Sequence, residues 1–180
     1  MIDRHVLLDS SVLINVLATG REVEVLRIFP AGAGVCATVE GESLFLRGET
    51  PADPPVRILL APLIDSGLLQ QHEVSTEAER SLYVDLASEL DDGEAMTIAI
   101  AHHRRFVVAT DDRKARRVAA QRFGNDFELL RTSDLLFSWT QAAELEEAIV
   151  HVLLRRIERV AQFRPANDDP LREWWINLAG

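Results

Sequence analysis

The stretch that most constrains this chain runs from Asp91 to Val118. It opens on the pair Gly93-Glu94, followed by an apolar run of small residues, Ala95 to Ala101, that suits a tightly packed helix. The β-forming residues Phe106-Val107-Val108-Ala109 come next, then Thr110-Asp111-Asp112, then a basic segment with helical composition. The order reads as helix, buried parallel strand, acidic strand end and helix. Open α/β sheets bind ligands at the carboxyl ends of their strands, so Asp111 and Asp112 sit where a ligand is expected.

The rest of the chain fits around this unit. His5-Val6-Leu7-Leu8 predicts a strand ending on Asp9, with Ser10 or Ser11 capping a helix that starts Val12-Leu13-Ile14. Val35-Cys36-Ala37 predicts a second strand, and Thr38 a cap for a helix carrying Glu40 and Glu42. Only one of these two acids can face a given point, because residues two apart on a helix diverge. The proline-rich residues 50–55 predict a loop, and Gln70 to Val74 an edge strand. Ser75-Thr76-Glu77-Ala78-Glu79 has the pattern of a capping box, with Leu82, Leu86 and Leu90 on the inner face of its helix. Phe127 to Leu130 predicts another strand, with Thr132 or Ser133 capping a short helix. A long helix is expected from Gln141, apolar at Leu145, Ile149, Val152, Leu153, Ile157 and Val160. The pair Trp174-Trp175 lies in a tail too short for a core of its own, so it must bury against the body or a partner.

Composition excludes several classes. With 47% hydrophobic and 27% charged residues among 180, the chain is of ordinary globular make-up. The single Cys36 rules out an internal disulfide and suits a reducing cytoplasm. No signal peptide and no membrane span are expected: Asp3, Arg4 and Asp9 interrupt the first apolar run, and no apolar run is long enough. The net charge of −10 argues against a simple nucleic-acid-coating protein. Residues 104–122 nevertheless hold seven Arg or Lys against two Asp, a local +5. That strip is either a solvated helix face or a contact surface for phosphates.

Acidic residues recur at the edges of the expected elements: Asp9, Glu40 or Glu42, Glu94, and Asp111 or Asp112. Carboxylates about 4 Å apart repel by roughly 4 kcal/mol at an effective dielectric of 20. A fold that collects them must neutralise them, and hard cations such as Mg²⁺ or Mn²⁺ do so with oxygen ligands. Neither a CxxC nor an HExxH spacing occurs, which argues against zinc.

These residues resemble the PIN-domain family of metal-dependent nucleases. Leu7-Leu8-Asp9-Ser10-Ser11-Val12-Leu13-Ile14 is similar to its opening motif, and Thr38-Val39-Glu40-Gly41-Glu42 to its second, with Glu42 the better fit. Gly93-Glu94-Ala95 is similar to the third, and Ala109-Thr110-Asp111-Asp112-Arg113-Lys114-Ala115-Arg116 to the last. The chain departs from the pattern in its acidic doublet, in Met96 where many members carry another acid, and in its long tail. The resemblance implies an α/β fold, a three-layer α/β/α sandwich with a central parallel sheet. Residues 1–140 would form the catalytic domain, with a C-terminal helical extension over 141–180 packed on it.

The resemblance also implies a cytoplasmic hydrolase that cleaves RNA phosphodiesters with a metal-activated water. Asp9, Glu94 and Asp112 (or Asp111) would hold Mg²⁺ or Mn²⁺, and Glu42 would complete the pocket. Ser11 would hold a water or merely cap its helix. Arg113, Lys114, Arg116 and Arg117 would steer the RNA backbone. Many members are toxins paired with an antitoxin protein, so that role, and a homodimer, are expectations the family permits. Two alternatives differ in class. A dehalogenase-type phosphotransferase needs a second Asp where Ser11 stands, and a receiver domain needs a lysine placed otherwise than Lys114. A PIN-like module that only binds RNA or protein would not need all four acidic positions.

Overall fold

The computed structural model describes residues 3–41 and 44–180. Five short parallel strands form the central sheet: β1 (Val6–Leu8), β2 (Ala33–Cys36), β5 (Gln70–His72), β6 (Val107–Ala109) and β7 (Leu129–Leu130). Their order is β5-β2-β1-β6-β7, with every pairing parallel. A separate two-residue antiparallel ladder joins β3 (Phe45–Leu46) to β4 (Val56–Arg57). The fold is the three-layer α/β/α sandwich expected of a PIN domain.

The layering follows from the alternation of side chains along each strand. Val6 and Leu8 of β1, with Val35, Val107 and Ala109, face one core. That core is closed by α1 (Ser10–Ala18), α8 (Thr132–Ala142), α9 (Glu147–Val160) and α10 (Arg172–Ala179). Leu7, Cys36 and Val108 face the other side, against α6 (Asp92–Arg104). There α5 (Glu77–Leu86) and α7 (Arg113–Phe123) pack with α6 through Leu86, Ala95, Ile98, Ala99, Ala115, Val118 and Ala119. The small residues of α6 let it lie between the sheet and two other helices. The remaining helices are the short α2 (Glu22–Leu26), α3 (Ala37–Gly41) and α4 (Ala61–Asp65).

Several local expectations hold. Thr76 and Glu79 form the capping box, each side chain bonding the other's backbone N–H, at 3.1 and 3.2 Å. Glu79 also takes Arg104 Nε at 2.7 Å, and this pairing holds its carboxyl at a pKa of about 2. The contact ties the start of α5 to the end of α6.

Others are corrected. Asp9, not Ser10 or Ser11, caps α1, its carboxylate accepting the Ser10 N–H at 2.8 Å. The second strand begins at Ala33, earlier than expected. It contains Gly34, where a Cβ would lie 2.6 Å from the Gln70 carbonyl oxygen and 2.8 Å from His5 Nε2. Thr38 lies inside α3, and its buried hydroxyl finds no hydrogen-bond partner among the described residues. The long helix expected from Gln141 starts later, at Glu147, and Gln141 and Ala142 instead close α8. Glu144 takes a left-handed φ of 48°, while its N–H bonds Gln141 O and the Leu145 N–H bonds Thr140 O. That is a Schellman motif, which ends α8 and lets α9 restart at Glu147.

The tail packs back on the body. Trp175 is fully buried within the first core and donates its indole N–H to Glu158 Oε1 at 3.1 Å. Trp174 sits edge-on to Phe137 of α8. No helix among the described residues is long and apolar enough to cross a membrane.

Candidate active site

The sheet register builds the site. Leu8 pairs with Ala109, so β1 and β6 end together and Asp9 emerges beside Thr110. The Asp9 N–H closes the ladder on Ala109 O at 2.9 Å. After β1 the chain winds toward β2 and β5; β6 and β7 lie on the other side. The order therefore reverses between β1 and β6, where open sheets leave a crevice at their carboxyl edge.

Three helices begin at this crevice, with Asp9, Asp91 and Asp112 as the N-caps of α1, α6 and α7. Their free N–H groups and dipoles favour negative charge, which helps the fold tolerate these acids. Asp9 is held from several directions: Ser10 N–H on Oδ1 at 2.8 Å, Ser11 Oγ on Oδ2 at 2.8 Å and Thr110 Oγ1 on Oδ2 at 3.3 Å. Thr110 in turn accepts the Asp112 N–H at 3.1 Å, and Asp112 Oδ1 accepts the Ala115 N–H at 2.7 Å. One threonine hydroxyl thus links the two strand-end acids.

Glu94, in the first turn of α6, completes the group. A cavity of about 450 Å³ is lined by Asp9, Ser10, Ser11, Asp91, Gly93, Glu94, Asp111 and Asp112. Half-buried there, Glu94 has its pKa raised to about 7, first by desolvation and then by the charges of Asp112 and Asp9. A hydrogen bond from the Asp91 backbone opposes the rise. Perturbed carboxyls in a cleft are a mark of functional sites as well as of charge crowding.

The doublet divides its labour. Asp111 turns away from Asp112: its Oδ1 accepts the Thr132 N–H at 3.0 Å and its Oδ2 the Thr132 hydroxyl at 2.6 Å, with Asn15 Nδ2 at 3.4 Å. Burial raises its pKa against those hydrogen bonds. Asp111 therefore fastens the start of α8 to the sheet edge, while Asp112 stays exposed beside Asp9 and Glu94. Thr132 and Ser133, expected as helix caps, instead donate to Asp111 and Asp169, and Asp134 accepts the Arg131 N–H at 2.8 Å.

The other expected site residues fall as follows. Ser11 is exposed in the acidic cavity and bonded to Asp9. Arg113 and Arg117 line a neighbouring cavity that shares Asp111. Lys114 is exposed on α7 but lines neither cavity. Glu42 lies outside the described residues, as does the Glu40 side chain. The reading of the sequence did not give site roles to Asp91, Asn15, Thr132 or Arg131. The spacing of Asp91 and Glu94, three apart at a helix start, was the one signal available for Asp91.

The donor set suits a hard divalent cation, since it offers carboxylate and hydroxyl oxygens only. The raised pKa of Glu94 comes first from burial and then from the charges of Asp112 and Asp9, and a cation would offset both. Among the described residues no three His, Cys, Asp or Glu side chains stand close enough to hold an ion by themselves. Mg²⁺ keeps several waters in sites of this kind, so two protein ligands suffice to anchor it.

Comparison with characterised proteins and with solved structures returned no match. A family model described as a PIN domain matches residues 5–166, which span the seven strands of the described residues and the acidic cavity. The chain belongs to the PIN-domain family, whose members are typically nucleases.

Proposed function

We propose that this protein is a divalent-metal-dependent endoribonuclease, using Mg²⁺ or Mn²⁺ to hydrolyse RNA phosphodiesters. The observation that carries the reading is the convergence of Asp9, Glu94 and Asp112 on one open cavity at the β1–β6 crevice. Two of Asp9, Glu94 and Asp112 would hold the ion directly, and the third would reach it through one of the waters it keeps. When bound, the ion lowers the pKa of water and screens the scissile phosphate. Ser11 and Thr110 fix the rotamer of Asp9 through Oδ2. Glu94, whose pKa is raised to about 7 in the metal-free protein, would be drawn to its ionised, ligating form by a bound cation. The starts of α1, α6 and α7 present backbone N–H dipoles to the anionic strand.

The test is cleavage of labelled single-stranded RNA with Mn²⁺ or Mg²⁺, with and without EDTA. Metal-dependent cleavage lost in Asp9→Asn is expected, and cleavage that survives EDTA overturns the reading. Binding without cleavage in any metal would mark a non-catalytic module. The role of toxin in a toxin–antitoxin pair is proposed on the family resemblance alone. Expression of the wild type should then arrest growth while Asp9→Asn does not, and an antitoxin protein should relieve the arrest.

A further inference from the structure

Beside the acidic cavity lies a second one of about 440 Å³, between α7 and the C-terminal segment, and Asp111 lines both. It gathers five guanidinium groups, Arg113, Arg116, Arg117, Arg131 and Arg164, in a chain whose net charge is −10. Three of these are bonded within the fold, and Arg131 is one of them: its Nη1 donates to the Asp168 backbone carbonyl at 3.0 Å and stands 3.8 Å from Asp169, leaving Nη2 toward the cavity. Arg116 donates to the Thr110 and Leu130 carbonyls at 3.0 and 2.8 Å, and Arg164 pairs with Glu158 at 2.8 Å. Arg117 is exposed and pairs with no acid among the described residues.

The acids of the tail treat this cavity in two ways. Asp169 is buried and accepts Ser133 Oγ at 2.7 Å and the Leu171 N–H at 2.8 Å, which fastens the tail. Asp168 is 63% exposed, and its carboxylate stands 3.5 Å from Arg113 and 3.6 Å from Arg131. Both carboxylate contacts are longer than direct hydrogen bonds, so the side chain sits over the arginines without being locked to them, while the Asp168 backbone carbonyl is held by Arg131. An exposed pairing of that geometry contributes little to folding.

We propose that this cavity is a phosphate subsite for the RNA strand next to the scissile position, and that Asp168 is its resting occupant. A backbone phosphate displaces the carboxylate, because guanidinium forks bind phosphate in a bidentate, charge-assisted way. Arg113, Arg117 and Arg131 then anchor the strand beside an acidic edge that would otherwise repel it. Such contacts position the strand and read no sequence. The identity of the ligand as RNA rests on the ribonuclease reading above.

The experiment measures binding rather than turnover. Full-length protein in EDTA is titrated against a short fluorescent oligoribonucleotide by anisotropy, over a range of salt. Asp168→Asn should tighten binding about two- to fivefold, the range that releasing an exposed ion pair supplies. Asp65→Asn, at the exposed end of α4 by the opposite edge of the sheet, removes the same charge and should change affinity less. Arg117→Ala should flatten the slope of log affinity against log salt by about 0.7, the loss of one phosphate contact on a single strand. Melting curves of each variant confirm an intact fold. Asp168→Asn binding no tighter than Asp65→Asn, or an unchanged slope in Arg117→Ala, overturns the subsite. Inorganic phosphate alone competing as strongly as the oligonucleotide, at matched ionic strength, also overturns it as a strand site. Cleavage with Mn²⁺ is scored separately. Binding changes as expected without cleavage reject the nuclease reading alone, and cleavage without them rejects the subsite alone.

Discussion

Replacing Glu94 by Gln should stabilise the metal-free protein above neutral pH and leave it nearly unchanged at pH 5. The folded pKa of Glu94 is about 7, against an ordinary 4.5. A carboxyl with a raised folded pKa binds more protons folded than unfolded, so stability falls as pH rises from about 4.5 to about 7. At about 1.4 kcal/mol per tenfold change in proton affinity, the nominal penalty is about 3 kcal/mol. Solvent reaches this half-buried group and screens its neighbours, so on the order of 1–2 kcal/mol is expected at pH 8. For a chain of 180 residues that corresponds to about 3–5 °C in melting temperature. The assay is thermal unfolding in EDTA at pH 5 and pH 8, read as the difference between Glu94→Gln and wild type. Taking the difference cancels other titrations, including His72, whose pKa is depressed to about 4 mainly by desolvation and which removes stability as pH falls below about 6.5. Mn²⁺ or Mg²⁺ should close the gap at pH 8 by binding the wild type better, by about 2.7 kcal/mol at a hundredfold excess over its dissociation constant. A mutant less stable than wild type at pH 8, or a gap of equal size at both pH values, would refute the reasoning, because Glu94 would then be a structural hydrogen-bond partner.

Four further outcomes test other parts of the structure. Asp111→Asn should cost about 1–3 kcal/mol in chemical denaturation, since it spoils a half-buried set of bonds to Thr132 and Asn15. Asp112→Asn should keep its helix cap and lose less than about 0.5 kcal/mol, while abolishing metal-dependent cleavage. Trp175→Ala should cost about 3–5 kcal/mol by emptying a fully buried site, measured as a shift in urea midpoint at constant slope. Gly34→Ala should destabilise by about 2 kcal/mol or more, because its Cβ would meet the Gln70 carbonyl and two imidazoles.

Much of this protein was legible in order along the chain, because the signals involved are local. The alternation in Val6-Leu7-Leu8 and Val107-Val108-Ala109, the small-residue face of α6 and the Thr76–Glu79 box each depend on residues a few positions apart. The succession of Asp9, Gly93-Glu94 and Thr110-Asp111-Asp112 at element ends was enough to indicate the family and the crevice. The break between α8 and α9 was expected a few residues too early, because Glu144 in a left-handed conformation carries no glycine signal to mark it. Tertiary structure alone separated Asp111 from Asp112. The two are adjacent and chemically equal in sequence, and their roles part because Thr132 and Asn15, brought from elsewhere, bind only one of them. In the same way, adjacent Asp168 and Asp169 both stand near Arg131, but only Asp169 is buried and bonded by Ser133 and the Leu171 N–H, while the Asp168 carboxylate stays exposed beside Arg113. Sequence thus determined which residue types stand at the edge, through short-range rules of period and capping. The fold decided which of them is bonded and which is left to act, because hydrogen-bond partners for a buried carboxylate come from anywhere in the chain.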